Sequence, residues 1–210
     1  VALGSLAFQM MPPSGQVVGR AAVLAFYYGA QIIAIAALAL RRGFRLETAF
    51  GLWGEGKSAL RIAGNVAAIV ALLIATRAFS TAWAAALRTF GWVPPEVDGG
   101  QFSALFGSGF AGLALTITAV VIFAPIAEEL VFRGAVLGLL ADRIGQWPAI
   151  LVSAGLFAAS HIEPWIFMPT FVLGIALGWL ARGRGSLAGA IVLHALYNGT
   201  AVVAAYYVAS

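Results

Sequence analysis

The sequence contains no cysteine, which excludes a disulfide framework, a thiol nucleophile and a thiolate metal site. Histidine is nearly absent, with 2 residues among 210, so any metal would have to rest on those imidazoles and on carboxylate or amide oxygen. Charge is scarce too. Asp, Glu, Lys and Arg make up 10% of the chain, against about 25% in an ordinary soluble domain, and so few charges cannot cover a water-facing surface. The formal net charge of +4 comes from basic residues scattered between apolar runs. No basic face with interleaved aromatics can be assembled from them, which excludes nucleic acid as a partner. There is no internal repeat, no low-complexity tract and no linker to a second domain.

What is present is apolar. Hydrophobic residues are 62% of the chain and the mean hydropathy is +0.97. The lipid bilayer is the solvent that matches this composition, because helix surfaces facing lipid can remain apolar. The expected fold is all-α, a polytopic membrane bundle of about seven helices. It forms one membrane domain over 1–210, with N-terminal helices at 21–124 and a motif-bearing core at 125–208.

A spanning helix needs about 20 mainly apolar residues. Residues 21–40 meet this, broken only by Gln31, and a long Ala-rich helix runs from 62 to about 90. Arg77 and Arg88 within it suggest tilt or a projecting end. Residues 102–127 are uncharged and long enough to cross. Pro125 ends that run, since helices usually stop before proline, and a short new helix is predicted from 125 to about 141. Further helices are predicted at 144–160, 164–181 and 186–208. The chain begins at Val1 rather than Met, and the apolar residues 1–11 before Pro12 and Pro13 read as the end of a truncated element or an interfacial segment. The loop at 41–61 carries Arg41, Arg42, Arg45, Lys57 and Arg61, whereas that at 92–101 carries only Glu96 and Asp98. The positive-inside bias places the first loop in the cytoplasm. Counting crossings then puts Arg182 and Arg184 outside, against the same bias.

Inside the apolar helices stand Glu128, Glu129, Arg133, His161, His194 and Asn198. Ionisable groups at membrane depth cost roughly 2.5–3.5 kcal/mol each on insertion scales, so they face the bundle interior and find partners. Adjacent helix residues point about 100° apart, so Glu128 and Glu129 cannot do the same work. Glu129 and Arg133 are i,i+4 and stack as an ion pair, which leaves Glu128 to point elsewhere. A helix N-terminus after Pro125 would also favour both acids through its dipole, yet adjacent acids at membrane depth mark a site by default. His161 ends an apolar helix one turn after Phe157. His194 and Asn198 are i,i+4 and share a face, able to hold water, polarise a carbonyl, ligate a metal or glue helices together. Together these groups are the parts that activate water for attack on an amide, a general base plus donors for the oxyanion. The other route holds a divalent metal on Glu and His to make hydroxide. The His-Glu-x-x-His signature of soluble metalloproteases is missing.

Glu128-Glu129-Leu130-Val131-Phe132-Arg133 resembles the Glu-Glu-x-x-x-Arg motif of the CPBP (CAAX protease and bacteriocin-processing, or Abi) intramembrane proteases. Phe157-Ala158-Ala159-Ser160-His161 is similar to their Phe-x-x-x-His motif, and His194-Ala195-Leu196-Tyr197-Asn198 to their His-x-x-x-Asn. The three occur in order, each on a predicted membrane helix, over the C-terminal half. The resemblance implies an endopeptidase cleaving within or beside the membrane. Glu128 and His161 would activate the water, His194 and Asn198 would stabilise the oxyanion or complete the water site, and Glu129 with Arg133 would orient it, with Phe157 in support. The family is described both as zinc-type and as glutamate-type. If a metal, such as zinc, is used, Glu128, His161 and His194 are its expected ligands. The expected partners are a membrane-associated peptide or protein substrate and the bilayer, with room for another membrane protein. The expected location is a bacterial or archaeal inner (plasma) membrane. Two other readings use the same polar core. One is a non-catalytic scaffold or accessory subunit of a membrane complex, for which the Ala- and Gly-rich helices allow close contacts. The other is a transporter relaying protons through the buried charges.

Overall fold

The computed structural model describes residues 17–41, 58–92, 102, 105–107, 109–183 and 187–208. The interfacial segment expected at 1–11, nearly all of the basic loop at 41–61, the acidic loop at 92–101 and part of the turn at 182–185 lie outside them, and with them the orientation argument. Among the described residues there are six helices and no strand. They are α1 (Val17–Arg41), α2 (Ala59–Thr89), α3 (Gly109–Ile144), α4 (Gln146–Ala159), α5 (Pro164–Gly178, continued by a π turn over Trp179–Gly183) and α6 (Leu187–Val208). Of these, α2, α3, α5 and α6 are long and apolar enough to cross a membrane, whereas α4 is shorter. The chain is an integral membrane helical bundle. Leu60, Ile74 and Phe110 stand exposed on its outside, as suits a surface that meets hydrocarbon rather than water.

The structure corrects the sequence reading at Pro125. No helix starts there. α3 runs through it without a break, as α-helix over Gly109–Thr116, Ala124–Glu129 and Leu137–Ile144, joined by π-helical stretches at Ile117–Phe123 and Leu130–Val136. A proline inside an α-helix lacks an N–H and drives its ring into the carbonyl four residues back. Here the turn ahead of it is widened, and the Ala124 N–H donates five residues back to Ala119 O. The wider turn accommodates the ring, and a π insertion of this kind commonly lies at a functional site. Two expected helices therefore merge, and the expected seven become six among the described residues.

The motif-bearing helices pack around one core of Phe157, Leu173, Leu177, Leu180 and Leu193, closed on the α2 side by Ile69. α4 and α5 approach unusually closely. A Cβ built on Gly174 would lie 2.9 Å from Ala154 Cβ, and one on Gly178 would lie 3.0 Å from Ile150 Cγ2. The glycines are four apart on one face, the small-xxx-small device by which membrane helices bring their backbones together. α1 covers the carboxylate-bearing part of α3 through Leu24 and Tyr28 against Ala124 and Ala127. Trp83 on α2 donates its indole N–H to Trp165 O at the start of α5, 2.8 Å away.

Candidate active site

The short α-helical stretch Ala124–Glu129, set between the two π stretches, carries both acids into the bundle. Glu128 is 6% exposed and Glu129 is fully buried. Glu129 Oε1 accepts from Arg133 Nη1 and from His194 Nδ1, each at 2.9 Å. Arg133 Nη2 donates in turn to Gly174 O at 3.1 Å, an approach that the missing side chain at 174 permits. One carboxylate thus ties α3, α5 and α6 together. The expected Glu129–Arg133 pair is present, with His194 as a third member.

That third contact sets the imidazole. With Glu129 Oε1 as the acceptor, His194 Nδ1 is the donor, and in the neutral imidazole Nε2 then presents its lone pair. A buried acid fixing the tautomer and direction of a histidine is a recurrent catalytic arrangement. Nε2 points toward Glu128, whose Oε2 lies 3.8 Å away. The separation is too long for a direct hydrogen bond and suits a bridge through water.

His161 follows α4 on a turn. Its Nδ1 donates to Phe157 O at 2.8 Å, so here too the backbone selects the tautomer and leaves Nε2 as the acceptor. It stands within electrostatic range of Glu128 and His194. Phe157 binds the arrangement together. Its buried ring meets His161 edge-on at 4.9 Å and His194 at 5.5 Å, and Arg133 Cζ lies 4.4 Å from its centroid. The face of an aromatic ring attracts cations, so Phe157 holds the guanidinium as well as walling both imidazoles.

Asn198 does not lie idle beside His194. Its Nδ2 donates to Val120 O at 2.9 Å. In the π pattern, Val120 O would take its hydrogen bond from the N–H of residue 125. Residue 125 is proline and has none, while the Ala124 N–H is already committed to Ala119 O. Asn198 satisfies the carbonyl that the proline leaves over, and so docks α6 on α3 beside the acids. One amide N–H remains for other work.

The structure brings Glu128, Glu129, Arg133, His194 and Phe157 into one cluster, with His161 and Asn198 at its border. It does not assemble the expected metal set. Among the described residues no three His, Asp or Glu side chains are close enough to hold a metal ion, so Glu128, His161 and His194 do not fit one in this arrangement.

Residues 110–200, from α3 to α6, match the family model of the type II CAAX prenyl endopeptidase Rce1-like proteins. This stretch is similar to the Rce1-like proteins of the CPBP family. All three motifs fall inside the match. No curated protein and no solved structure matches the chain. The kind of function that accompanies this similarity is that of a membrane-embedded CAAX-type protease.

Around the matched stretch, α1 and α2 supply neighbours that sequence reasoning passed over. Tyr28 of α1 is buried within electrostatic range of Glu128. Arg77 of α2, read from sequence as a sign of tilt, stacks on Tyr197 with Cζ 3.6 Å from the ring centroid. An arginine in the middle of an apolar helix was the signal for it. Gly174 could have been found from its spacing to Gly178. Nothing in the sequence distinguishes Tyr28 from the other apolar-helix tyrosines.

Proposed function

We propose that the chain is an intramembrane endopeptidase, hydrolysing a peptide bond of a membrane-associated protein or peptide with water activated by glutamate and histidine. The observation that carries this reading is the facing pair Glu128 Oε2 and His194 Nε2, 3.8 Å apart, with the imidazole locked from behind by Glu129. Both are acceptors, so a water between them donates a hydrogen to each and turns its lone pair toward a substrate carbonyl. Glu128 takes the proton as the water oxygen bonds to the carbonyl carbon. The C–N bond then breaks as Glu128 returns the proton to the leaving amine. General base catalysis of this kind contributes about 10²–10⁴-fold.

His161, within electrostatic range of the same acid, is assigned to assist Glu128 in holding that proton. The second N–H of Asn198 is the donor available to the developing oxyanion, and a donor in that role typically contributes about 10²–10³-fold. Glu129 and Arg133 hold His194 in place, and Phe157 supports both imidazoles. A site among spanning helices favours substrates arriving laterally through the bilayer, and the inner (plasma) membrane of a bacterium or archaeon is the setting we assign.

The test uses the purified protein reconstituted in vesicles with a prenylated peptide ending in Cys-aliphatic-aliphatic-Met, the prenylation signature. Glu128→Gln and His161→Ala are each expected to abolish cleavage while thermal unfolding stays close to that of the unaltered protein. Turnover persisting in both variants would remove the mechanism.

A further inference from the structure

The described helix ends give the bundle a direction across the membrane. Trp83 near the end of α2 meets Trp165 at the start of α5, so those two ends lie together. Contacts of Glu129 with His194, Val120 with Asn198 and Thr116 with Tyr206 step in opposite order along α3 and α6, which makes those helices antiparallel. Arg133 meets Gly174, and Asp142 meets Arg182 further along both helices, so α3 and α5 run parallel. The start of α2, the turn at Gly145 between α3 and α4, and the end of α5 therefore share one end of the bundle. The end of α2, the start of α3 and the turn between α4 and α5 share the other. Arg61, Arg143 and Arg182 stand at the first end. At the second, Arg88 is the one basic residue that α2 to α6 bring among the described residues, and the sequence has no Lys or Arg from 89 to 132 or from 144 to 181.

Lys and Arg collect on the cytoplasmic side of helical membrane proteins, which makes the first end cytoplasmic. The conflict between the basic loops disappears, because it came from counting a break at Pro125. With α3 unbroken, Arg61 and Arg182 fall on one side. The site opens at the other end. Toward the basic end the acids rest on Leu137, Ile150, Leu177, Leu180 and Leu193, each at most 1% exposed. Away from it, His161 stands on the turn after α4, where Ile162 and Glu163 are exposed. The 14 residues of α4 rise ~21 Å at about 1.5 Å each, less than the ~30 Å of hydrocarbon. Trp147 stands exposed at its start, a residue type that favours the membrane interface, so the turn lies below the far surface. An exposed carboxylate at that depth needs water, and the far face is therefore indented down to His161. We propose that the site opens to the extracytoplasmic side of the plasma membrane, and that its substrates are membrane-anchored or exported polypeptides whose scissile bond is presented from outside. The substrate claim rests on the protease reading; the orientation does not.

The chain has no cysteine, so a single introduced thiol reports on one position. Thr89 and Glu163 are exposed at the far end of the bundle and Gln146 at the basic end. Each is changed to Cys in turn, and spheroplasts of an expressing bacterium are treated with a sulfonated, membrane-impermeant maleimide before and after permeabilisation. Thr89→Cys and Glu163→Cys are expected to label in intact spheroplasts, and Gln146→Cys only after permeabilisation. The reverse pattern, or Gln146→Cys labelling from outside as readily as Thr89→Cys, would overturn the orientation. Glu163→Cys staying unlabelled in intact spheroplasts while Thr89→Cys reacts would overturn the outward opening, because the turn beside His161 would then be sealed from outer water.

A second arm reads the side from which substrate is taken. Sealed right-side-out and inverted membrane vesicles carrying the unaltered protein receive the peptide ending in Cys-aliphatic-aliphatic-Met, tagged with a sulfonated fluorophore that keeps it on the side of addition. Cleavage is expected in right-side-out vesicles, with loss of turnover in inverted ones until detergent opens them. Cleavage confined to sealed inverted vesicles would refute the proposal even if the labelling pattern held. If no peptide is cut in either preparation or in detergent, while Thr89→Cys and Glu163→Cys still label from outside, the substrate claim falls with the protease reading and the outward orientation stands.

Discussion

Replacing Arg133 with methionine separates what the buried ion pair does for stability from what it does for chemistry. Both side chains of the Arg133–Glu129 pair are 0% exposed. The substitution removes the hydrogen bond to Glu129 Oε1 and the one to Gly174 O, together with the contact over Phe157. Hydrogen bonds between membrane helices are modest, averaging ~0.6 kcal/mol in mutant cycles, so their loss alone would be small. Far more costly is the Glu129 carboxylate left buried with only His194 against it. Breaking a buried pair from one side costs about 3–5 kcal/mol. For a chain of this size each kcal/mol shifts Tm by roughly 2–4 °C, so Arg133→Met is expected to unfold about 6–20 °C lower in detergent, followed by tryptophan fluorescence.

The pair itself is not especially stabilising. Glu129 Oε2 and Arg133 Nε are both buried without a hydrogen-bond partner among the described residues, and pairs satisfied this poorly are often replaceable by apolar residues at no cost. Glu129→Leu combined with Arg133→Met should therefore recover most of the lost Tm. It should not recover turnover, because His194 Nδ1 then lacks the acceptor that fixes its tautomer. Arg133→Met unfolding within ~1 kcal/mol of the parent, or a double variant as unstable as the sum of the singles, would refute this account of Glu129.

Gly174→Ala places a methyl group 2.9 Å from Ala154 Cβ and 3.3 Å from Arg133 Nη2, so it should destabilise by about 1–3 kcal/mol. Ala154→Gly in the same chain should restore only part of the Tm, because Ala154 Cα still lies 3.0 Å from the added methyl, and no recovery at all would mean the clash lies elsewhere. Phe157→Ala empties a fully buried site at about 3–5 kcal/mol; Phe157→Leu should keep the fold and still slow peptide cleavage, since both imidazoles lose their wall. Asn198→Leu leaves Val120 O unpaired, a cost of about 1–3 kcal/mol. Adding Pro125→Ala supplies an N–H at residue 125 and should recover that stability, as read by thermal unfolding of single and double variants.

The helices were legible in the sequence wherever an apolar run ended in a charge or a turn residue. α2, α5 and α6 begin and end within a few residues of their expected positions. The merged α3 was not legible, because the rule that proline stops a helix says nothing of a widened turn ahead of it. The Glu129–Arg133 pair could be read from i,i+4 spacing, which is a property of one helix. The contacts of Glu129 with His194 and of Asn198 with Val120 join residues 65 and 78 positions apart, and no local pattern encodes them. Phe157 could be read only as a motif position, while its contact with three charged or titratable side chains needed the fold. α1 and α2 carry no motif, so Tyr28 entered only when the helices were seen packed, and Arg77, noticed in the sequence as a sign of tilt, gained its partner Tyr197 only there.

The break in regularity at Pro125 ties these facts together. A regular α-helix through residues 117–136 with no proline in it would leave no main-chain carbonyl for Asn198 to satisfy, because each would be used by the N–H four residues on. Proline takes away one N–H, the π turn shifts the register of its neighbours, and Val120 O is left needing a donor from outside the helix. Asn198 meets that need only if α6 lies at one height and rotation against α3. At that setting His194, one turn earlier on the same face, meets Glu129, and its far nitrogen meets Glu128. The unsatisfied carbonyl therefore does more than mark a defect. It is a register pin, and it fixes the distance between an acid and an imidazole that no direct bond between them holds.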